Sequence, residues 1–538
     1  MNKPPGKPDP SRDSLLMALK MGPVPAARPP HPHDPGARLD IPSALSEVRV
    51  EDLIGDPTGM IVPPPTRTRT MPGGMRPPGP PRQGPYKPPV KQTRLMRDWG
   101  IPEWFIVSQA FMFAILFIPG VSMVRLLTKV VGFVTSLLAF YFVWRRGGMR
   151  ERTYSFKACG MITVFLAIVS LMIVHPSTNS PISGLADIVL WTSTYCVAYW
   201  ATASLRYANQ LQRVFLLIFL INSTSALLGI GQFYKPNIFL PPSIGVLEAG
   251  GLSALIPYYT LDDGTQVLRP CGMTDNPGSA SAAGVIAAVM GIVVLSSHLP
   301  MWQRILGMAL ALPGGTVIYL TQVRTAILMV VLSLMALVFV MALQNRWGKV
   351  IQIGIAGMIV VLGGFMWAAS EGGSSIINRF SSLVEESPTE MLTKSSRGRI
   401  ASHTLGTMVF EVPLGAGLGR YGQVYGYFGN WAYGDMIWVE TQIAAWLIDG
   451  GIPLLFLGFA TSIYALYDSL RVARTCPSPH VAHWAAGVFA INLSIFFSCF
   501  GQMPFLTNTG QQFWLLAGMT HAADQWIRYQ RRRGISIS

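Results

Sequence analysis

Residues 324 to 343 read RTAILMVVLSLMALVFVMAL, a stretch whose one charge stands at its first position. Wound as a helix rising 1.5 Å per residue, it covers about 30 Å, the thickness of a bilayer's hydrocarbon. Comparable stretches recur on both sides of it, at 103–118, 121–143, 157–175, 185–204, 213–233, 280–297, 303–320, 350–369, 443–467, 483–500 and 511–527. With 324–343 they predict an all-α polytopic membrane protein of twelve transmembrane helices. Composition agrees. The 538 residues are 50% hydrophobic and 12% charged, where soluble chains carry about 25% charged residues.

Residues 1–98 hold 23 of the 41 prolines and few aromatics. Such a segment cannot bury enough apolar surface to order itself, and it has no apolar run of signal-peptide type. It is expected to be a disordered Pro-rich cytoplasmic tail, with a polyproline ligand for a cytoplasmic partner as the functional alternative, and 99–538 to be the transmembrane helical domain. The net charge of +15 is distributed as topology rather than as a nucleic-acid face. Arg145, Arg146, Arg150, Arg152 and Lys157, then Arg206 and Arg213, then Arg304, then Arg346 and Lys349, then Arg471 and Arg474 fall in alternate connections. The C-terminus adds Arg528, Arg531, Arg532 and Arg533, while His175–Gly184 and Gly501–Gly510 contain no Lys or Arg. The positive-inside rule then puts both termini in the cytoplasm. Arg125 and Lys129 are the exception. The five cysteines are scattered, without the spacing of a disulfide framework or zinc site.

Two connections on the opposite face are long, about 234–279 and 370–442, and function is expected there. In the first, Arg269 precedes Pro270, Cys271, Gly272, Met273, Thr274, Asp275, Asn276, Pro277 and Gly278. It either anchors at lipid headgroups or offers phosphate oxygens its fork of donors. Arg324 opens its span on the side where the charge rule gives no reason for a cation; snorkelling to headgroups and an inward functional role are both open. The second loop carries Arg397, Gly398 and Arg399, then the run Pro413, Leu414, Gly415, Ala416, Gly417, Leu418, Gly419. Its glycines allow close backbone approach to a ligand, but no Gly-Lys-Ser/Thr follows as in a phosphate-binding loop. Glu440 is either a general base at the mouth of the bundle or a helix N-terminal acid. Asp449 is a buried partner or a polar helix contact, and His403 is expected to be solvated on a loop.

The order of these motifs resembles the superfamily of O-antigen ligases and O-antigen polymerases over roughly residues 100 to 530. Arg324-Thr325 looks like the family's Arg-Thr pair opening a span. Arg397-Gly398-Arg399 looks like its Ser-Gly-Arg stretch, and Pro413 to Gly419 like its Pro-Leu-x-Gly-x-Gly-x-Gly run. Glu440-Thr441 with Gly451 stands for the His-Asn pair entering a later helix, and Arg269 to Pro277 resembles the stretch ending in Asn-Pro. His403 stands where the family often has Trp, and Glu440 where it often has His. The second departure favours a polymerase over a ligase.

The resemblance implies a glycosyltransferase of the bacterial inner membrane that uses no metal or other cofactor. It would move a glycan from an undecaprenyl diphosphate carrier to a sugar hydroxyl at the periplasmic face, in O-antigen or exopolysaccharide biosynthesis for the cell envelope. Arg269, Arg324, Arg397 and Arg399 would hold the diphosphate; Arg324, Arg399 and Glu440 would be catalytic. Membrane lipids, a chain-length regulator and polysaccharide export proteins are the implied partners, with no nucleic acid. Transfer to a lipid A core, as in a ligase, is the nearest alternative. A twelve-helix secondary transporter is the rival from another class, against which stands the lack of half-to-half similarity. A metal-using lipid-dependent glycosyltransferase is a third, but residues 119–128 contain no Asp or Glu. The charge asymmetry makes a topology prediction: a reporter fused after Asn430 reads as periplasmic and one after Asn345 as cytoplasmic. Reporters on the same side would overturn the helix count.

Overall fold

A computed structural model describes residues 99–118, 125–147, 150–241, 258–260, 266–274, 278–385, 396–430, 432 and 436–534. The expected tail 1–98 lies outside them, as do Asp275, Asn276 and Pro277 and the side chains of Arg397 and Arg399. The chain opens with α1 (Ile101–Ile115), α2 (Arg125–Arg145), α3 (Arg150–Ser155) and α4 (Lys157–Leu171). It continues through α5 (Pro181–Tyr195), α6 (Val197–Ser204) and α7 (Asn209–Tyr234) to a small hairpin, β1 (Tyr258–Thr260) against β2 (Gln266–Leu268). Then come α8 (Ser279–Leu295), α9 (Met301–Leu320), α10 (Arg324–Leu343) and α11 (Trp347–Glu385). The short α12 (Ser396–His403) and α13 (Gly422–Phe428) precede α14 (Gln442–Thr475), α15 (Pro479–Ser498) and α16 (Asn508–Arg532).

Among the described residues, each apolar stretch expected to span overlaps a helix, and 185–204 overlaps two, α5 and α6. Of the helices among the described residues, six are long and apolar enough to cross a membrane, within 157–174, 209–234, 324–343, 347–373, 442–475 and 479–498. The other stretches are shorter, broken or more polar. The 185–204 stretch divides at Cys196, α9 contains Pro313, and α16 ends in charge. Outward-facing Leu328, Met335 and Phe339 on α10 and Ile351, Met358 and Met366 on α11 are exposed, an apolar surface suited to lipid. The second long connection is shorter than its sequence suggests. Helix α11 runs on to Glu385, with a break at Gly373 (φ 57°), and His403, expected on a loop, is the exposed last residue of α12.

Helix α8, SASAAGVIAAVMGIVVL, is buried along nearly its whole length. Its small residues let α9 come within backbone contact: a Cβ at Gly284 would lie 2.7 Å from the Gly314 carbonyl oxygen, and one at Gly291 2.5 Å from that of Gly307. Lipid tails give two helices no hydrophobic reason to associate, so close packing over small residues supplies the attraction.

At the arginine-rich ends of the C-terminal helices, buried Asp468 and Asp524 gather the charges. Arg471 Nη2 donates to Asp468 Oδ1 at 2.8 Å and its Nη1 lies 3.4 Å from Asp524 Oδ2, to which Arg528 Nε donates at 2.9 Å. His521 bridges Asp468 Oδ2 (2.9 Å) and the Ser155 hydroxyl (2.8 Å), tying α3 to α14 and α16. Removing one member leaves another buried charge uncompensated.

Helix α14 is broken. Gly450 and Gly451 leave helical geometry (φ −160°, ψ 21° and φ 65°, ψ −157°), the second in a region open essentially to glycine alone. The break frees a carbonyl and an amide inside the bundle, and the Pro413–Gly419 run satisfies both. Ala416 N donates to Ile448 O at 2.7 Å, and Ile452 N donates to Pro413 O at 2.8 Å. Non-helical backbone at this depth is tolerated only where protein satisfies it. A Cβ at Gly451 would collide with the Pro413 carbonyl. Gly451→Ala should therefore destabilise the protein by at least about 1–3 kcal/mol from backbone strain, read as a lowered thermal midpoint in detergent. Gly354→Ala, at a helical glycine with open space around it, should leave the midpoint unchanged or raise it. Equal midpoints for the two variants would contradict the hinge.

Candidate functional site: the loop ends around the broken helix

The glycines of the Pro413–Gly419 run approach the protein's own backbone. A Cβ at Gly417 would stand 2.5 Å from Thr178 N, and one at Gly419 would collide with Ser183. Asn179 N donates to Leu418 O at 3.0 Å, and Thr178 Oγ1 accepts from Leu418 N at 3.2 Å. The close approach that these glycines make is to the α4–α5 connection, α5 and α14, not to a ligand. Two buried carboxylates complete this knot. Asp187, on the second turn of α5, accepts from Gly419 N at 2.6 Å. Asp449, the residue before the break, accepts at Oδ2 from Trp191 Nε1 (2.8 Å) and Tyr421 Oη (2.7 Å). Its Oδ1 is buried with no hydrogen-bond partner. Asp449 is thus buried and hydrogen-bonded between α5 and the segment after the glycine run.

Directly after the run, Arg420 donates from Nη1 to Ser177 O at 3.1 Å, and its Nε is shielded from solvent with no hydrogen-bond partner. This arginine, Asp187, Trp191 and Tyr421 went unrecognised in the sequence. A carboxylate inside an apolar stretch was the available signal for Asp187.

Arg269 leads into a segment that side chains of α7 hold in place. Gln232 of α7 accepts from Cys271 N (2.8 Å) and Gly272 N (2.9 Å) and donates to Gly272 O (2.7 Å). Ser225 Oγ accepts from Met273 N at 3.0 Å. Gly272 has φ 65°, and a Cβ there would collide with Ser225. Ser279 Oγ returns to Cys271 O at 2.8 Å and also contacts the Thr274 hydroxyl, closing the segment onto the start of α8. That start adjoins the start of α10: a Cβ on Gly278 would lie 3.4 Å from Val323. The structure therefore sets Arg269 and Arg324 on adjoining segments.

Neither N-cap residue, Gly278 of α8 nor Val323 of α10, makes a side-chain cap; their carbonyls accept from Ser281 N at 3.0 Å and Ala326 N at 3.1 Å. Arg324 is half-buried, and the neighbouring Thr325 hydroxyl oxygen is shielded from solvent with no hydrogen-bond partner. Gln322 before them holds φ 54°, a backbone state that non-glycine residues seldom adopt.

Glu440 is half-buried at the entrance to α14, where Trp438 Nε1 donates to its Oε1 at 2.9 Å. The helix is capped by the next residue, Thr441, whose hydroxyl accepts from Ala444 N at 3.3 Å, so Glu440 is not the capping group. Gln442 fixes this entrance to the α15–α16 connection: its backbone N–H donates to Cys499 O (3.0 Å) and Gln502 O (2.9 Å), and its Oε1 accepts from Phe505 N (3.0 Å). The backbone of Arg397 and Arg399 belongs to α12. No known protein-family model matches the chain, and no curated protein matches it.

Proposed function

We propose that the chain is a twelve-helix polysaccharide polymerase of the bacterial inner membrane, with both termini in the cytoplasm. It transfers an undecaprenyl-diphosphate-linked glycan to a sugar hydroxyl at the periplasmic face, without a metal. The observation that carries this reading is that the segment bearing Arg269 leads into the start of α8, which adjoins the start of α10 with Arg324 and the shielded, partnerless Thr325 hydroxyl. Guanidinium forks suit phosphate oxygens. A diphosphate leaving group needs such fixed donors most when its bond to the sugar breaks.

In this reaction the acceptor oxygen forms a bond to the anomeric carbon while the bond from that carbon to the diphosphate oxygen breaks. The electron pair leaves on the diphosphate, which Arg269 and Arg324 stabilise with Arg397 and Arg399. The acceptor's proton passes to Glu440, which the Trp438 indole orients. The turn that Gln232 and Ser225 hold in place supports the arginines' role, because donors held before the reaction need no reorganisation during it. The apolar exterior of α10 and α11 gives the polyprenyl chain a surface to lie against.

Replacing Arg324 by Lys keeps the charge and loses the planar fork, so glycan transfer should fall by about tenfold or more. Glu440→Gln removes the base and should cost roughly 10²- to 10⁴-fold. The assay is polymer length on purified lipid-linked repeats with and without EDTA, using protein that inserts normally. Normal ladders from both variants would overturn the proposed roles, and inhibition by EDTA would overturn the metal-free mechanism.

A further inference from the structure

At the opposite end of the helices from Arg324, three cations meet without a carboxylate. Arg346 lies in the turn between α10 and α11, where Asn345 takes φ 55° and Arg346 N donates to Met341 O at 3.0 Å. An asparagine tolerates this left-handed state better than most residues, and the turn fixes where the guanidinium starts. Its Nη1 is shielded from solvent and has no hydrogen-bond partner. One turn on, Lys349 Nζ contacts two imidazoles, His298 Nε2 at 3.4 Å and His483 Nδ1 at 3.5 Å. His483 is buried and contacts Val293 O through Nε2 at 3.1 Å, which leaves Nδ1 as the acceptor facing the ammonium. Arg304 is held in place by donating Nε to Leu295 O at 2.7 Å. Among the described residues, no carboxylate pairs with Arg304, Arg346 or Lys349.

The positive field is felt by its neighbours. The Lys349 ammonium, then burial, then Arg346 and Arg304 hold the His298 imidazole below its usual pKa, and burial lowers that of Arg346. Like charges gathered in a half-buried place are unfavourable unless an anion joins them. Around the cluster, Trp302 and Trp347 are exposed at 64% and 62%. Tryptophans in this position mark the level where hydrocarbon gives way to headgroups. Exposed Ile351 and Ile355 extend the apolar surface along α11.

We infer that Arg304, Arg346 and Lys349 form a binding site for the phosphate of an anionic phospholipid, whose acyl chains lie along the exposed face of α11. The lipid's phosphate supplies the missing counter-charge, and its chains cover apolar surface that a free phosphate would leave open. Basic pockets between helix ends suit anionic headgroups on electrostatic grounds alone. This site is independent of the transfer reaction proposed above.

The test uses the full chain in nanodiscs of phosphatidylethanolamine, with or without phosphatidylglycerol, reading lipid retention by native mass spectrometry and thermal midpoint. Wild-type protein should retain phosphatidylglycerol and unfold at a higher temperature with it. Arg346→Gln with Lys349→Gln should bind it about 30-fold more weakly, from about 1 kcal/mol per cation. The charge-preserving Arg346→Lys with Lys349→Arg should keep most of the binding, which separates lost charge from lost folding. Arg531→Gln with Arg532→Gln should change nothing. Equal phosphatidylglycerol retention by the double glutamine variant and wild type would overturn the site. Equal loss in the charge-preserving variant would assign the effect to packing and overturn it as well. Stabilisation by inorganic phosphate alone would overturn the lipid as the source of the anion.

Discussion

Two hydrogen bonds, Ala416 N to Ile448 O and Ile452 N to Pro413 O, allow a buried helix to be broken. Without them, the Gly450–Gly451 break would leave the Ile448 carbonyl and the Ile452 amide without the partners that a continuous helix would have given them. With them, the Pro413–Gly419 run becomes an internal strap, pinned to α14 at one end and to Asp187 and Ser183 of α5 at the other. The strap brings Tyr421 to Asp449 and Arg420 to the α4–α5 connection. Its glycines are required by close approach between backbones, since side chains would occupy the same space.

Around that strap, the residues that hold the scaffold differ from those to which the proposed reaction is assigned. Asp187 and Asp449 are buried and hydrogen-bonded, so they belong to the scaffold. Arg269, Arg324 and Glu440 are half-buried on segments whose backbones are independently fixed. Gln232 and Ser225 fix the first, the turn through Gln322 the second, and Thr441 with Gln442 the third. A site intended to hold a highly charged leaving group gains from that division, because fixed donors lower the reorganisation that charge development would otherwise demand. The other end of the molecule differs. There Asp468 and Asp524 neutralise Arg471 and Arg528 internally, while Arg304, Arg346 and Lys349 have no such acids among the described residues.

The helices were legible because the constraint on them is local. A run such as 324–343 must satisfy its own backbone in lipid, and its composition announces this. Long-range pairings were not. Nothing in the spacing of Pro413–Gly419 shows that its partners are Thr178 and Ile448, since those contacts depend on how α5 and α14 pack. The glycine run was therefore read as facing a ligand, and His403 was placed on a loop because the short α12 has no apolar stripe to reveal it. Arg324 and Arg269 were legible as isolated cations near apolar runs, whereas their adjacency follows from Gly278 meeting Val323. Arg471 and Arg528 were read as topology signals, and the structure gives them acidic partners besides.

The central claim is that the adjoining starts of α8 and α10 receive a lipid-linked diphosphate. A cryo-electron microscopy map of the full chain in nanodiscs with undecaprenyl diphosphate tests it most directly. The account predicts diphosphate density between the Arg269 and Arg324 guanidinium groups, within hydrogen-bond reach of the Thr325 hydroxyl. Ordered carrier bound elsewhere, with that place empty, would contradict it.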